Sequence, residues 1–129
     1  MRVHHVGYLI KSMTPSVEAF QNLGYSIKTS SIYDADRYID ICFMENKGFT
    51  VELIAPRPEC RIFRSLQKKI GNAPYHICYV ADDFTEDMKA LQDSGYAVIV
   101  PPGRAVALDN RMVVFMFHED LGIIKLVES

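Results

Sequence analysis

The chain has 129 residues, 49% of them apolar, and a formal net charge of −2, which describes one domain able to bury a real core. Acids and bases are mixed along its length, excluding both a basic stripe for nucleic acid and an acidic solvating tail. No apolar run approaches the roughly 20 residues of a membrane helix, His4, His5 and Lys11 interrupt the opening stretch as no signal peptide would allow, and the unspaced Cys42, Cys60 and Cys78 read as reduced thiols, so a soluble cytoplasmic protein is expected.

The first predicted element is a strand, Arg2 to Ile10, rich in β-branched and aromatic residues. Thr14-Pro15 supplies a cap residue followed by an N1 proline and opens a helix that Gly24 stops. Three strands follow at about Ser26 to Ser30, Tyr38 to Met44 and Phe49 to Ile54, the last two joined by the turn Asn46-Lys47-Gly48. Pro56 to Asn72 reads as a linker with a helix on it, since Ile62, Phe63, Leu66 and Ile70 recur at helical spacing. Its basic residues read as a solvated face. A strand at Tyr75 to Val80 and a helix capped by Asp82-Asp83, with Glu86 as capping-box partner and Gly95 as its stop, open the second half. Strands at Ala97 to Val100, Arg111 to Phe117 and Ile123 to Val127 complete it, with loops at Ser31 to Arg37 and Pro101 to Asn110.

The halves are related in sequence. An offset of 71 lays His5-Val6-Gly7-Tyr8 on His76-Ile77-Cys78-Tyr79 and Ala19 to Tyr25 on Ala90 to Tyr96, while offsets of 74 and 73 pair the later strands. The prediction is an α+β chain of two tandem βαβββ modules in a single domain, 1–129: module one 1–55, a linker helix within 56–72, and module two 73–129.

Side chains alternate across a strand. His5 and His76 therefore each have small same-face neighbours, Gly7 and Cys78. In the third strand Ile39, Ile41 and Phe43 form an all-apolar face expected to meet the helices, which leaves Asp40 on the other face beside Tyr38 and Cys42. Tyr38, Met112 and Met116 would line a binding cup by the same parity. Glu52 and Lys125 are single charges inside apolar strands, costly to bury without a metal, an ion pair or hydrogen bonds. They occupy matched positions, as His5 and His76 do, so a pseudo-twofold arrangement would gather all four. Two imidazoles and a carboxylate suit zinc, nickel, cobalt or manganese. Alternatively Glu52 pairs with Lys125 and the histidines are structural. His4 and His118 lack the support of the repeat and read as ordinary surface or edge residues.

Taken in order, His4-His5-Val6-Gly7-Tyr8, Val51 to Pro56, Tyr75 to Asp83 and Gly122 to Glu128 resemble the vicinal oxygen chelate superfamily of glyoxalases, bleomycin resistance proteins and dioxygenases. The nearest likeness is to methylmalonyl-CoA epimerase-like and lactoylglutathione lyase-like proteins. The resemblance implies a curved, cup-shaped mixed sheet with helices on its outer face, a small-molecule ligand in the cup, and His5, Glu52 and His76 as ligands of a divalent metal. The fourth ligand would be a glutamate where this chain has Lys125, a group with no lone pair to give while protonated. Glu128 points to the opposite face and replaces it only through a bulge.

The activity so implied is that of an isomerase or lyase removing a proton next to a carbonyl of a small thioester or hemithioacetal. Asp40 stands where the epimerases carry a catalytic glutamate and is the candidate base. Lys125 is a candidate to stabilise developing oxyanion charge. The alternative is a metal-free protein of the same fold that binds or sequesters a small molecule. A homodimer is the expected assembly, since such modules can be exchanged between chains.

Overall fold

The computed structural model describes residues 1–129. The elements run β1 (Arg2–Leu9), α1 (Met13–Asn22), β2 (Ser26–Asp34), β3 (Ile39–Asn46), β4 (Phe49–Pro56), α2 (Arg61–Ile70), β5 (Ala73–Val80), α3 (Phe84–Asp93), β6 (Ala97–Ala105), β7 (Arg111–His118) and β8 (Gly122–Val127), with a short 3₁₀ turn at Val106–Leu108. This is the expected α+β pattern of two βαβββ modules. Their strands are ordered β2-β3-β4-β1 and β6-β7-β8-β5. In each, the first strand lies parallel to the last and the remaining pairs are antiparallel. No helix is long and apolar enough to cross a membrane.

By density of contacts the chain forms two compact units, one of Val6–Tyr75 and one of Met1–His5 with His76–Ser129. The chain passes from one unit to the other inside β1, after His5, and again inside β5, before His76.

Local chemistry accounts for the helix ends. Gly24 and Gly95 follow α1 and α3 at φ +96°, a left-handed conformation that costs a residue without Cβ little. α3 is capped as expected, the Asp83 carboxylate accepting from the Glu86 amide at 3.1 Å. The return half of the box is made by Asp87 and not by Glu86: its carboxylate accepts from the amides of Asp82 and Asp83. α1 starts two residues earlier than Thr14-Pro15 suggests, at Met13 with Ser12 at its N-cap. Pro15 still falls in the first turn, where no amide donor is needed. β2 and β6 run into the predicted loops, reaching Asp34 and Ala105. β6 accommodates Pro101 and Pro102 because it is an edge strand whose register slips between Val98 and Gly103.

Each module has its own helix-facing core. Cys42, Met44, Val51, Leu53 and Ala55 pack with Val17 and Phe20 of α1. Val114, Met116, Ile124 and Leu126 pack with Met88 and Leu91 of α3. This reverses the expected parity of β3, since the even-numbered residues, not Ile39, Ile41 and Phe43, meet the helix. Both faces of β3 are apolar and buried, so alternation alone carries no sign of which face the helix takes. Met116 correspondingly belongs to the α3 core, and its neighbour Phe115 shares the Lys125 face.

Candidate metal centre

In the unit of Met1–His5 and His76–Ser129, β1 supplies His5, β5 supplies His76 and β8 supplies Lys125. The β5–β8 register sets Lys125 beside Cys78, and the β7–β8 register sets it beside Phe115. The His5 and His76 rings meet edge to face at 5.5 Å between centroids, with Nε2 atoms 3.4 Å apart. The Phe115 ring stands edge to face against His76 at 5.3 Å, and Lys125 Nζ lies 5.3 Å from the Phe115 centroid. A file of rings thus leads from the two imidazoles to the ammonium, whose cation is received by the aromatic quadrupole.

His4 belongs to this file although sequence reasoning passed it over. Its Nδ1 lies 2.7 Å from His5 Nδ1, so one ring donates and the other accepts. For His5 to keep a lone pair on Nε2, its own Nδ1–H must donate to His4 Nδ1. The adjacent His4-His5 pair was the available signal, discounted because His4 lacks the support of the repeat.

In the unit of Val6–Tyr75, Glu52 lies on β4 between Gly7 of β1 and Phe43 of β3, on the face opposite the α1 core. It is wholly buried at 0% exposure, as are His5 (2%), His76 (3%) and Lys125 (4%). His5 and His76 in the one unit, and Glu52 in the other, each offer an atom able to ligate a metal.

Two imidazole nitrogens on one tetrahedral zinc, at about 2.0–2.1 Å each, stand about 3.4 Å apart. The observed Nε2 separation of 3.4 Å has that value, and it is long for a hydrogen bond between the rings. Two imidazoles so spaced fit a divalent cation of the zinc, nickel, cobalt or manganese type.

Asp40 stands elsewhere. Its β4 partner is Ala55, a member of the α1 core, whereas Glu52 is partnered by Phe43; Asp40 and Glu52 therefore leave opposite faces of the sheet. Its carboxylate is held by Arg57 through two hydrogen bonds of 3.0 Å, and the same guanidinium stacks on Tyr33 at 3.8 Å. The hydrogen bonds it donates to Asp40 hold the Arg57 guanidinium above its ordinary pKa. Glu128 is engaged at the end of the sheet, accepting from Arg104 Nη1 at 3.1 Å and from the Met112 amide at 2.7 Å. Cys42, Cys60 and Cys78 are buried and lie outside any disulfide, and burial pushes the Cys42 and Cys60 thiols up from the ordinary value.

Residues 4–115 match the profile of the Glyoxalase/Bleomycin resistance protein/Dioxygenase superfamily. A search of curated proteins finds no match. Among solved structures, the chain is similar to methylmalonyl-CoA epimerase from Mycobacterium tuberculosis, with 20% identity and a TM-score of 0.81 over 98% of this chain and 86% of that one. It is similar to a hypothetical protein from Bacillus halodurans C-125, with 17% identity and a TM-score of 0.85 over 99% and 94%. A variant of Streptomyces coelicolor methylmalonyl-CoA epimerase in complex with 2-nitronate-propionyl-CoA gives 17% identity and a TM-score of 0.83 over 100% and 94%.

Proposed function

Because the chain belongs to the Glyoxalase/Bleomycin resistance protein/Dioxygenase superfamily, we propose that it is an isomerase or lyase acting next to a carbonyl of a small thioester or hemithioacetal, with a divalent metal held by His5, Glu52 and His76. The observation that carries this reading is the buried pair of His5 and His76, whose Nε2 atoms stand 3.4 Å apart, the spacing a shared cation requires, with Glu52 buried as a single carboxylate inside an apolar strand. The fold likeness to methylmalonyl-CoA epimerases agrees with chemistry at a carbon beside a thioester.

A cation in this place would supply Lewis-acid polarisation of a carbonyl oxygen. The chain's own residues do the rest. His4 fixes the His5 ring through the Nδ1 contact. The burial of the group excludes bulk water and strengthens every electrostatic interaction there. Lys125 offers an ammonium to an oxygen that gains charge. For Asp40 to act as the base, its carboxylate would have to exchange Arg57 for substrate and act from the other face of the sheet.

The engagement of Asp40 with Arg57, together with a cation at the Lys125 position, favours a second reading: a metal-free cup that binds a small molecule without turning it over. Metal content by plasma mass spectrometry on untagged protein, with His76→Ala as control, separates the two. Near-stoichiometric metal that vanishes in His76→Ala, with turnover of methylmalonyl-CoA or a glutathione hemithioacetal, supports the enzyme. Metal-free protein without turnover leaves the binding module.

A further inference from the structure

Five of the 14 lysines and arginines fall between Arg57 and Ile70, against one acid, Glu59, so this segment carries four positive charges while the rest of the chain carries six negative ones. Arg57 is held by Asp40, and Arg64 donates to the Pro56 carbonyl at 3.2 Å. Arg61, Lys68 and Lys69 are exposed, and no ion pair engages them. Helix chemistry accounts for two of these three. Lys68 and Lys69 lie in the last turn of α2, where the macrodipole favours a cation, whereas Arg61 opens the helix, where it does not, with no acid in the first turn to offset it.

The same helix leaves apolar surface bare. Phe63 and Gln67 are its buried side chains. At about 100° per residue, Ile62, Leu66 and Ile70 form a row beside them that the core covers only in part: Ile62 is 48% and Ile70 43% exposed. Lys69 borders that row on its solvent side, with Ser65 and Arg61 beyond it. A solvated basic face accounts for the charges but not for this row. From the combination we infer that α2 docks on a membrane surface, lying flat on a bilayer of anionic lipids with Ile62, Leu66 and Ile70 among the headgroups and Arg61, Lys68 and Lys69 against the phosphates. At ten residues the helix is about 15 Å long, too short to cross a hydrocarbon core of about 30 Å. The negative remainder of the chain is repelled by such a surface, which turns this one face toward it. Nucleic acid would match the charges and leave the isoleucines bare. The inference stands apart from the metal centre.

Wild-type protein is sedimented with vesicles of equal parts phosphatidylglycerol and phosphatidylcholine, and with vesicles of phosphatidylcholine alone, at low and at high salt. Expected is binding to the anionic vesicles only, weakened by salt. One cation near such a surface contributes roughly fivefold in affinity, so Lys68→Gln with Lys69→Gln should weaken binding by about tenfold or more. Ile62→Ser with Ile70→Ser, which leaves Phe63 and Gln67 in place, should do so by about tenfold as well. Circular dichroism and urea unfolding check that each pair keeps the fold; should one not, Lys69→Gln or Ile62→Ser alone takes its place. Wild-type protein that stays in solution beside anionic vesicles at low salt overturns the inference. So does binding that either pair leaves at full strength, since charge or apolar contact alone would then account for it. A dimer in solution that the isoleucine substitutions dissociate, in place of vesicle binding, also overturns it and gives the row to a second copy of the chain.

Discussion

Replacing His4 with alanine tests whether the centre depends on more than its ligands. The 2.7 Å contact between His4 Nδ1 and His5 Nδ1 leaves the His5 Nε2 lone pair pointing toward His76 only if His4 accepts the Nδ1 proton. Without that acceptor His5 is free to take the other tautomer and to turn its ring. Loss of such an outer partner typically costs 10–100-fold in metal affinity, about 1.4–2.8 kcal/mol. The assay is a competition titration of zinc against a chromophoric chelator at fixed pH. Expected are a 10–100-fold rise in Kd for His4→Ala, partial recovery in His4→Gln, whose amide oxygen can accept the same proton, and loss of binding in His76→Ala. Wild-type affinity in His4→Ala beside lost affinity in His76→Ala would refute the orienting role. Wild-type affinity in both would place any bound metal elsewhere.

Lys125→Glu brings a second carboxylate, and so a fourth ligand, to the matched position and removes a positive charge, so zinc affinity should rise by at least tenfold in the same titration. Met44, wholly buried in the α1 core, should cost about 2–5 kcal/mol when cut to alanine, read as a fall in the urea midpoint with little change in slope. Burial holds the Cys42 and Cys60 thiols above the ordinary value of 9.0, so the folded state retains their protons where the unfolded chain has released them. That contribution is complete below pH 9 and is lost as pH rises through the higher folded values. Urea unfolding at pH 8 and pH 10 should show the decline, less of it in Cys42→Ala, and thiol labelling at pH 8 should be slow until the chain unfolds.

Much of this was legible in the sequence because the chain states it twice. The recurrence of His5-x-Gly/Cys-Tyr and of the glycine after each helix fixed both modules, and matched positions singled out His5, His76, Glu52 and Lys125 where isolated histidines would have carried no weight. Two things were not legible. β3 is apolar on both faces, so its alternation could not tell which side α1 covers, and Asp40 was assigned to the wrong side with it. His4 was missed because the repeat gives it no matching histidine, whereas its ring reaches that of His5 through their Nδ1 atoms. The strand character of Ser31–Asp34 and Pro101–Ala105 was hidden by serines and prolines that an edge strand with slipped register tolerates.

The division of the chain into Val6–Tyr75 and Met1–His5 with His76–Ser129 also orders the events of folding. The first unit is continuous and can form as soon as its last residue has been synthesised. The second is not: its opening segment emerges first yet finds its partners only after about seventy further residues have appeared, and closing so long an interval carries an entropic penalty that local contacts do not. His5 ends that segment, so its meeting with His76 waits until β5 has been made.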